Sequence, residues 1–276
     1  MKRLAPCIAT IAGLMGTSAL AADMAVKAPP PPVATAPASS WTGFYVGAAL
    51  GAKWADTTWT TTSLVSPPFS PVIDSSSPLN YDLSGFRYGG YVGYNWQIAH
   101  QWLLGVEADL SGADKTVAAA GIPGCSIVCI GGFPGPVADT SSVKMLWDAS
   151  LRARVGYLVS PVLLTYVTGG IAWQKVDASA TCQHSVADPL CVVVAGNPFG
   201  TGTGSAILTG WTIGGGFEDR IYGNWFLRGE YRYSNFGTWG GNVLDLSVPG
   251  SPSFVGHSLK VASQIATGGF TYHFGL

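Results

Sequence analysis

The chain has few charged residues and, beyond its N-terminus, no long hydrophobic run. Asp, Glu, Lys and Arg make up only 11% of its 276 residues, whereas soluble domains average about 25%. A spanning helix needs about 20 consecutive apolar residues, and after residue 20 every apolar run is soon broken by Gly, Ser, Thr or a charge. Because 47% of the residues are nevertheless hydrophobic, a closed β-barrel is the membrane structure that remains.

Basic runs and catalytic motifs are also missing. The formal net charge is −1, and no cluster of Lys or Arg is available to neutralise a phosphate backbone, which argues against nucleic acid as a partner. The sequence contains no G-x-S-x-G, P-loop or HExxH motif. His257 and Ser258 are neighbours on a predicted strand, but adjacent strand residues point to opposite faces. We therefore expect no enzymatic activity and no cofactor.

The N-terminus has the pattern of a Sec signal peptide. Lys2 and Arg3 precede an apolar stretch over 4–20, and small residues at 19 and 21 provide a cleavage site after Ala21. The alternative, a retained membrane anchor, would need a longer apolar stretch. Residues 22–40 are rich in Pro and Ala and are predicted to form a periplasmic spacer. The barrel domain is then expected over 41–276.

Cysteine use agrees with export to an oxidising compartment. Once the signal peptide is removed, four cysteines remain, and each pair lies within one Gly-, Pro- or Ser-rich stretch. We expect two local disulfides, Cys125–Cys129 and Cys182–Cys191. Zinc coordination by cysteines with the nearby His184 is the alternative. No second histidine or carboxylate cluster supports it, and we predict no metal site.

From Trp41 onward, a two-residue alternation of apolar and polar side chains predicts strands. The predicted strands cover 41–54, 83–96, 101–113, 142–159, 162–176, 205–220, 224–237 and 257–274. Long connections at 55–82, 114–141, 177–204 and 238–256 alternate with short ones at 97–100, 160–161 and 221–223. This layout predicts an all-β, eight-stranded antiparallel transmembrane β-barrel, an up-and-down meander with four long extracellular loops.

The two faces of the predicted strands differ in chemistry. In the fourth strand, one face carries Met145, Trp147, Ala149, Leu151, Ala153, Val155 and Tyr157, and the other carries Lys144, Asp148, Ser150, Arg152 and Arg154. Apolar faces that begin or end with Trp or Tyr are typical of membrane-facing surfaces. We therefore assign the apolar face to lipid and the charged face to the interior. A soluble lipocalin-like barrel is the alternative, but it would need no aromatic belts.

Charged residues are expected to meet inside the barrel. Glu107 and Asp109 lie six and eight residues above position 101, and Arg154 and Arg152 lie equally far from position 160. These four charges should therefore lie side by side, joined by Arg228, Glu230, Arg232, Arg87, Glu218 and Lys260. Because the lumen of an eight-stranded barrel is only wide enough for side chains, we predict a structural plug. An open pore is the alternative.

Several segments, taken in order, resemble one family. Residues 41–47 (WTGFYVG) resemble the first strand of the porin-family outer-membrane proteins, the opacity-like surface antigens of rhizobial and related bacteria. Residues 86–96 and 104–109 resemble the second and third strands of that family. The ending over 267–274 is similar to the barrel-insertion signal, with Gly269, Tyr272 and Phe274 at its Gly and aromatic positions. Such chains usually stop at the last aromatic residue, whereas this one continues with Gly275 and Leu276.

The resemblance implies a location in the outer membrane of a Gram-negative cell. Family members are described as structural surface proteins, small porins or haem-binding proteins. We expect a non-enzymatic barrel that contributes to envelope integrity and displays its loops. Its expected partners are outer-membrane lipid, lipopolysaccharide and the barrel-assembly machinery. A narrow porin, or a receptor for haem or another small ligand, is the alternative, and the sequence identifies no extracellular partner.

Overall fold

The structure is a computed structural model that describes residues 40–65, 72–125, 139–183, 199–245, 247 and 254–275. Within these residues, no helix has the length and apolar character needed to cross a membrane. Eight antiparallel strands follow one another around a closed barrel, which confirms the predicted meander. The strands are β1 (Gly43–Val65), β2 (Leu79–Gln97), β3 (Trp102–Ala120), β4 (Thr140–Leu158), β5 (Leu163–Gln183), β6 (Phe199–Tyr222), β7 (Trp225–Asp245) and β8 (Phe254–His273).

The short connections lie at one end of the barrel, as predicted for the periplasmic side. Gly223 and Asn224 alone join β6 to β7, and the φ of +52° at Gly223 lies in the left-handed region that glycine adopts without strain. The N–H of Val159 donates to the carbonyl of Leu163 over 3.0 Å and closes the β4–β5 turn. The predicted signal peptide, including Ala21, and the predicted spacer up to residue 39 lie outside the described residues.

A band of outward apolar side chains surrounds the periplasmic half of the barrel. On β1 the band runs from Phe44 to Trp54, with alternate side chains facing outward. Its length matches the roughly 9–11 residues of a tilted membrane-spanning strand. Aromatic pairs lie at the periplasmic edge, where the ring centroids of Trp102 and Tyr157 are 5.2 Å apart. Such aromatic girdles mark the interface between lipid and water.

All eight strands extend farther toward the extracellular side than the sequence pattern predicts. β1 ends at Val65 rather than at 54, and β8 begins at Phe254 rather than at 257. Above the apolar band, the outward face of the strands becomes polar and the inward face becomes apolar. Asp56 and Thr60 face outward and are exposed, whereas Trp59 faces inward and is buried. Because the sequence pattern follows the outward apolar residues, it does not predict the parts of the strands that lie above the band.

A β-bulge produces this exchange on β4. The register between β4 and β5 shifts between Met145 and Asp148. An extra residue in one strand turns the side chains that follow it to the other face. Met145 is therefore only 2% exposed, and the residue before it, Lys144, points outward. The prediction that Met145 faces lipid and Lys144 faces the interior is wrong.

The inward side chains above the band form a second, apolar core. We call it the extracellular core. Its buried members are Ala55, Trp59, Leu64, Tyr81, Leu83, Ile122, Cys125, Val143, Met145, Ala172, Val176, Ala178, Ala180, Leu208, Phe236, Val243, Leu244, Val255, Leu259 and Val261. Ile122 and Cys125 enter it from the connection after β3 and have no exposed surface. The barrel wall is therefore packed on its inner side well above the lipid-facing band.

Candidate functional site

Charged side chains fill the barrel interior at the level of the lipid-facing band. They alternate along the strands with the outward apolar residues, and none has a side chain more than 8% exposed. We call this set the interior ion network. It consists of Lys53, Arg87, Glu107, Asp109, Asp148, Arg152, Arg154, Glu218, Arg228, Glu230 and Arg232.

Glu107 lies at the centre of the network. Its carboxylate accepts hydrogen bonds from both terminal nitrogens of Arg228, at 2.6 and 2.8 Å. It accepts another from the Tyr45 hydroxyl at 2.8 Å and one from Arg152. Charge-assisted bonds of this kind are stronger than neutral ones. Two arginines and a tyrosine from three different strands are thus fixed around one buried carboxylate on a fourth.

Glu107, Asp109, Arg152 and Arg154 lie close together, as predicted, but the pairing between β3 and β4 is shifted by two residues from the predicted one. Equal heights above the turns would place Glu107 opposite Arg154. The β3–β4 register instead pairs Glu107 with Arg152 and Gly105 with Arg154. Strands of a closed barrel are staggered by its shear, so equal counts from the periplasmic ends do not give equal heights. Arg154 remains 3.9 Å from Glu107.

Above Glu107, two aspartates join three more cations. The Nη2 atom of Arg87 lies 2.7 Å from both an Asp109 oxygen and an Asp148 oxygen. Arg232 donates to Asp109 over 2.7 Å. Lys53 donates to Asp148 over 2.9 Å. Each cation that bridges two carboxylates ties separate strands together across the lumen.

Below Glu107, the network ends in an aromatic layer. Arg154 lies 2.9 Å from Glu218, and its guanidinium stacks 3.7 Å from the centre of the Tyr166 ring. His273 Nε2 is 3.2 Å from the other oxygen of Glu218. Trp41 packs on the His273 ring with centroids 5.4 Å apart. With this layer, buried side chains fill the periplasmic mouth as well as the middle of the barrel.

Little free volume remains among these side chains. The cavity lined by Arg87, Tyr91, Asp109, Arg152, Arg228 and Arg232 has a volume of about 20 Å³. A water molecule needs about 10–15 Å³ of such volume. This cavity therefore has room for about one water molecule and is much smaller than a conducting channel needs.

The structure differs from the predicted interior at two lysines. Lys260 is exposed on the outer wall, because it shares the face of Phe270 and Tyr272, so its prediction as an interior residue is wrong. Lys53 belongs to the network but was missed. Counting every second residue from the inward Tyr45 places Lys53 on the same inward face of β1. Two glycines between them weaken the apolar–polar pattern that would have revealed it.

The residues of the predicted insertion signal lie at the end of β8. A Cβ atom on Gly269 would come within 2.3 Å of the Ala48 carbonyl oxygen, so only glycine fits there. The rings of Tyr272 and Phe274 are 5.0 Å apart at the periplasmic girdle. The N–H of Phe274 donates to Phe44 over 2.8 Å and continues the closing pairing. Gly275 follows the strand, and Leu276 lies outside the described residues.

The predicted disulfides are described only in part. Cys125 is disulfide-bonded and buried in the extracellular core. Cys129, Cys191 and the side chain of Cys182 lie outside the described part of the chain. The pairings Cys125–Cys129 and Cys182–Cys191 therefore stay predictions.

The described residues contain no group of three His, Cys, Asp or Glu side chains that could hold a metal ion. His257 is 1% exposed and is enclosed by Trp59 and Trp239, whose ring centroids are 5.3 and 4.8 Å away. Ser258 follows it on the outward face. This neighbour pair does not form the nucleophile and base of a hydrolase, which must lie within hydrogen-bond reach of each other.

Comparisons with known proteins agree with this architecture. A family model described as "Outer membrane protein beta-barrel domain" matches residues 9–274. The chain is 32% identical over 243 residues to the 31 kDa outer-membrane immunogenic protein of Brucella melitensis, covering 83% of this chain and 86% of the relative. It is 29% identical over 202 residues to the 22 kDa outer membrane protein of Rhizobium leguminosarum bv. viciae, covering 72% of this chain and 66% of the relative.

Among solved structures, the Escherichia coli outer membrane protease OmpT has a TM-score of 0.47 and 13% identity, over 84% of this chain and 97% of that one. A likeness this low supports no statement about activity. The sequence relatives and the family match confirm the resemblance to rhizobial-type surface antigens. This chain belongs to the outer-membrane β-barrel domain family and lies in the outer membrane.

Proposed function

We propose that this protein is a non-enzymatic, non-conducting barrel that strengthens the outer membrane and displays its loops at the cell surface. The observation that carries the proposal is the interior ion network, which fills the lumen across the lipid-facing band. A porin of eight strands would have to leave space where Glu107, Arg152 and Arg228 meet. Because the interior ion network fills the lumen, it argues against the alternative function, a narrow porin.

Surface display is supported by the relatives and by the barrel's dimensions. The Brucella relative is named an immunogenic protein, and an antigen presents accessible segments. In the present chain, strands that continue beyond the apolar band, such as β1 to Val65 and β6 from Phe199, carry the connecting loops away from the bilayer. Antibodies would then reach these loops in intact cells.

The proposed partners follow from the outer surface. The apolar band contacts outer-membrane lipid, and the polar rows above it face the sugars of lipopolysaccharide. The end of β8, with Gly269, Tyr272 and Phe274, is the segment that the barrel-assembly machinery would recognise. No part of the described surface provides the row of cations that nucleic acid requires.

A deletion strain tests the proposed role. Loss of the protein is expected to raise the sensitivity of cells to detergent and to release periplasmic enzymes, and the wild-type gene should restore both. Uptake of small solutes should not change. An epitope inserted at 248–250, in the last loop, should be labelled on intact cells. An unchanged barrier, or a specific defect in solute or haem uptake, would contradict the proposal.

A further inference from the structure

The interior ion network contains one more cation than it contains carboxylates. Its six cations are Lys53, Arg87, Arg152, Arg154, Arg228 and Arg232, and its five carboxylates are Glu107, Asp109, Asp148, Glu218 and Glu230. No other carboxylate among the described residues forms an ion pair with these cations. His273 contacts Glu218 and adds no negative charge. The network therefore carries a net charge of +1 in the part of the barrel that lipid surrounds.

The excess positive charge lies in the extracellular half of the network. In the periplasmic half, three arginines face three glutamates. In the extracellular half, Lys53, Arg87 and Arg232 face only two carboxylates, those of Asp109 and Asp148. A buried charge without a counter-charge is strongly destabilising. A bound anion at this level would remove that cost.

The small cavity inside the network is surrounded by arginines from both halves. Arg87, Arg152, Arg228 and Arg232 all line it, and its volume is about 20 Å³. Since a water molecule needs about 10–15 Å³ of such volume, the cavity is too small for a phosphate or a carboxylate ligand. A monatomic anion such as chloride is the negatively charged species of suitable size.

Two N–H groups of the lining arginines lack an acceptor. Arg152 and Arg232 bind carboxylates through their terminal nitrogens, but the Nε atom of each is buried and has no hydrogen-bond partner in the described part of the chain. A buried donor without an acceptor is costly. The two carboxylates that line the cavity, Asp109 and Glu230, are each already held by two arginines. A further acceptor must therefore come from outside the chain, and a halide ion accepts hydrogen bonds from N–H groups.

We propose that the barrel binds one chloride ion in this cavity, among Arg87, Arg152, Arg228 and Arg232. The ion supplies the negative charge that the network lacks. Because the four arginines are buried, the ion enters while the barrel closes during folding and is then enclosed. The site goes beyond the proposed function, since the ion is a fixed part of the interior and is not conducted through it.

The first test locates the ion in the wild-type protein. The full-length barrel is refolded and crystallised in sodium bromide, because bromide replaces chloride and is identified by its anomalous X-ray scattering. A bromide peak should lie in the cavity among the four arginines. Crystals in which this cavity holds water and no bromide would overturn the inference.

The second test measures whether chloride stabilises the folded barrel. Urea unfolding of the wild type in lipid vesicles is compared at several chloride concentrations, with gluconate, which is too large for the cavity, keeping the ionic strength constant. One bound ion predicts that a tenfold rise in chloride above its dissociation constant lowers the unfolding equilibrium constant about tenfold. Stability that does not depend on chloride would mean that a neutral Lys53 balances the network, and would overturn the inference.

A pair of variants separates charge balance from general effects of salt. Lys53 belongs to the extracellular half of the network but does not line the cavity, so Lys53→Gln removes the excess charge and leaves the lining intact. The dependence on chloride should be lost in this variant. It should persist in Lys260→Gln, which removes an exposed lysine from the outer wall. Equal dependence in the two variants would contradict the inference, and conductance tests the closed lumen independently of this result.

Discussion

At the scale of single residues, Glu107 joins several strands of the barrel interior. Arg228, Arg152 and Tyr45 all direct hydrogen bonds to it. Glu107→Gln would keep the shape of the side chain but remove one of the two buried carboxylates, Glu107 and Glu230, that Arg152 and Arg228 share. We expect a loss of about 3–5 kcal/mol in the free energy of unfolding, measured by urea titration in lipid vesicles.

The control for this prediction is Asp56→Asn, which removes an exposed carboxylate from the outer wall of the same barrel. Its effect should be within about 0.5 kcal/mol. The double variant Glu107→Gln/Arg228→Gln should be more stable than the two single effects add up to, because the opposed charges disappear together. Equal costs for Glu107→Gln and Asp56→Asn would show that the interior is hydrated rather than packed.

Alternation along a strand was enough to place residues inside or outside, but not to choose their partners. Glu107, Arg152 and Arg228 follow from parity alone. That Glu107 meets Arg152 rather than Arg154 depends on the stagger between strands, which closure of the whole barrel sets. Lys53 illustrates a second limit, since glycines at 47 and 51 leave no apolar–polar contrast to reveal its face.

At the scale of strands, β1 passes from a lipid-facing to a water-facing outer surface. Leu50 is 58% exposed near the middle of the band, and Thr60 is exposed on the same face beyond Trp54. Leu50→Arg should cost about 2–4 kcal/mol when the barrel folds into bilayers, whereas Thr60→Arg should cost little. Urea titration in vesicles compares them. Comparable losses in both variants would place the upper edge of the band elsewhere.

The extracellular core makes a separate prediction for β8. Leu259 has no exposed surface and packs in this core, whereas Ser258 faces outward. Leu259→Ala should cost about 2–5 kcal/mol, as a deleted core side chain does. Ser258→Ala should be nearly neutral. If both substitutions are neutral, the part of the barrel above the membrane is not a packed structure.

The extended strand ends were not predicted because the exchange of faces resembles the end of a strand. On β4, the bulge between Met145 and Asp148 also inserts a residue into the alternation. Above the lipid-facing band, apolar residues point inward and polar residues outward, the order of a water-soluble barrel. A prediction based on outward apolar residues therefore ends each strand at the top of the band. The strand itself continues, but its outer surface now faces water instead of lipid.

At the scale of the whole molecule, one continuous wall encloses two different interiors. Ion pairs fill the part surrounded by lipid, and apolar side chains fill the part surrounded by water and sugars. The number of strands, the short periplasmic turns and the charged interior could be predicted from the sequence. The second core could not, because it appears only when the barrel closes and brings distant strands such as β1 and β5 around the same space.

The central claim is that the interior ion network closes the lumen, and planar-bilayer conductance tests it most directly. Refolded wild-type protein should produce no discrete current steps. A variant with Glu107→Ser, Arg152→Ser and Arg228→Ser, verified as folded by its heat-dependent gel shift, should produce steps in the same membranes and so prove that insertion is detected. Stable, uniform steps from the wild-type barrel would contradict the account and identify the protein as a narrow porin.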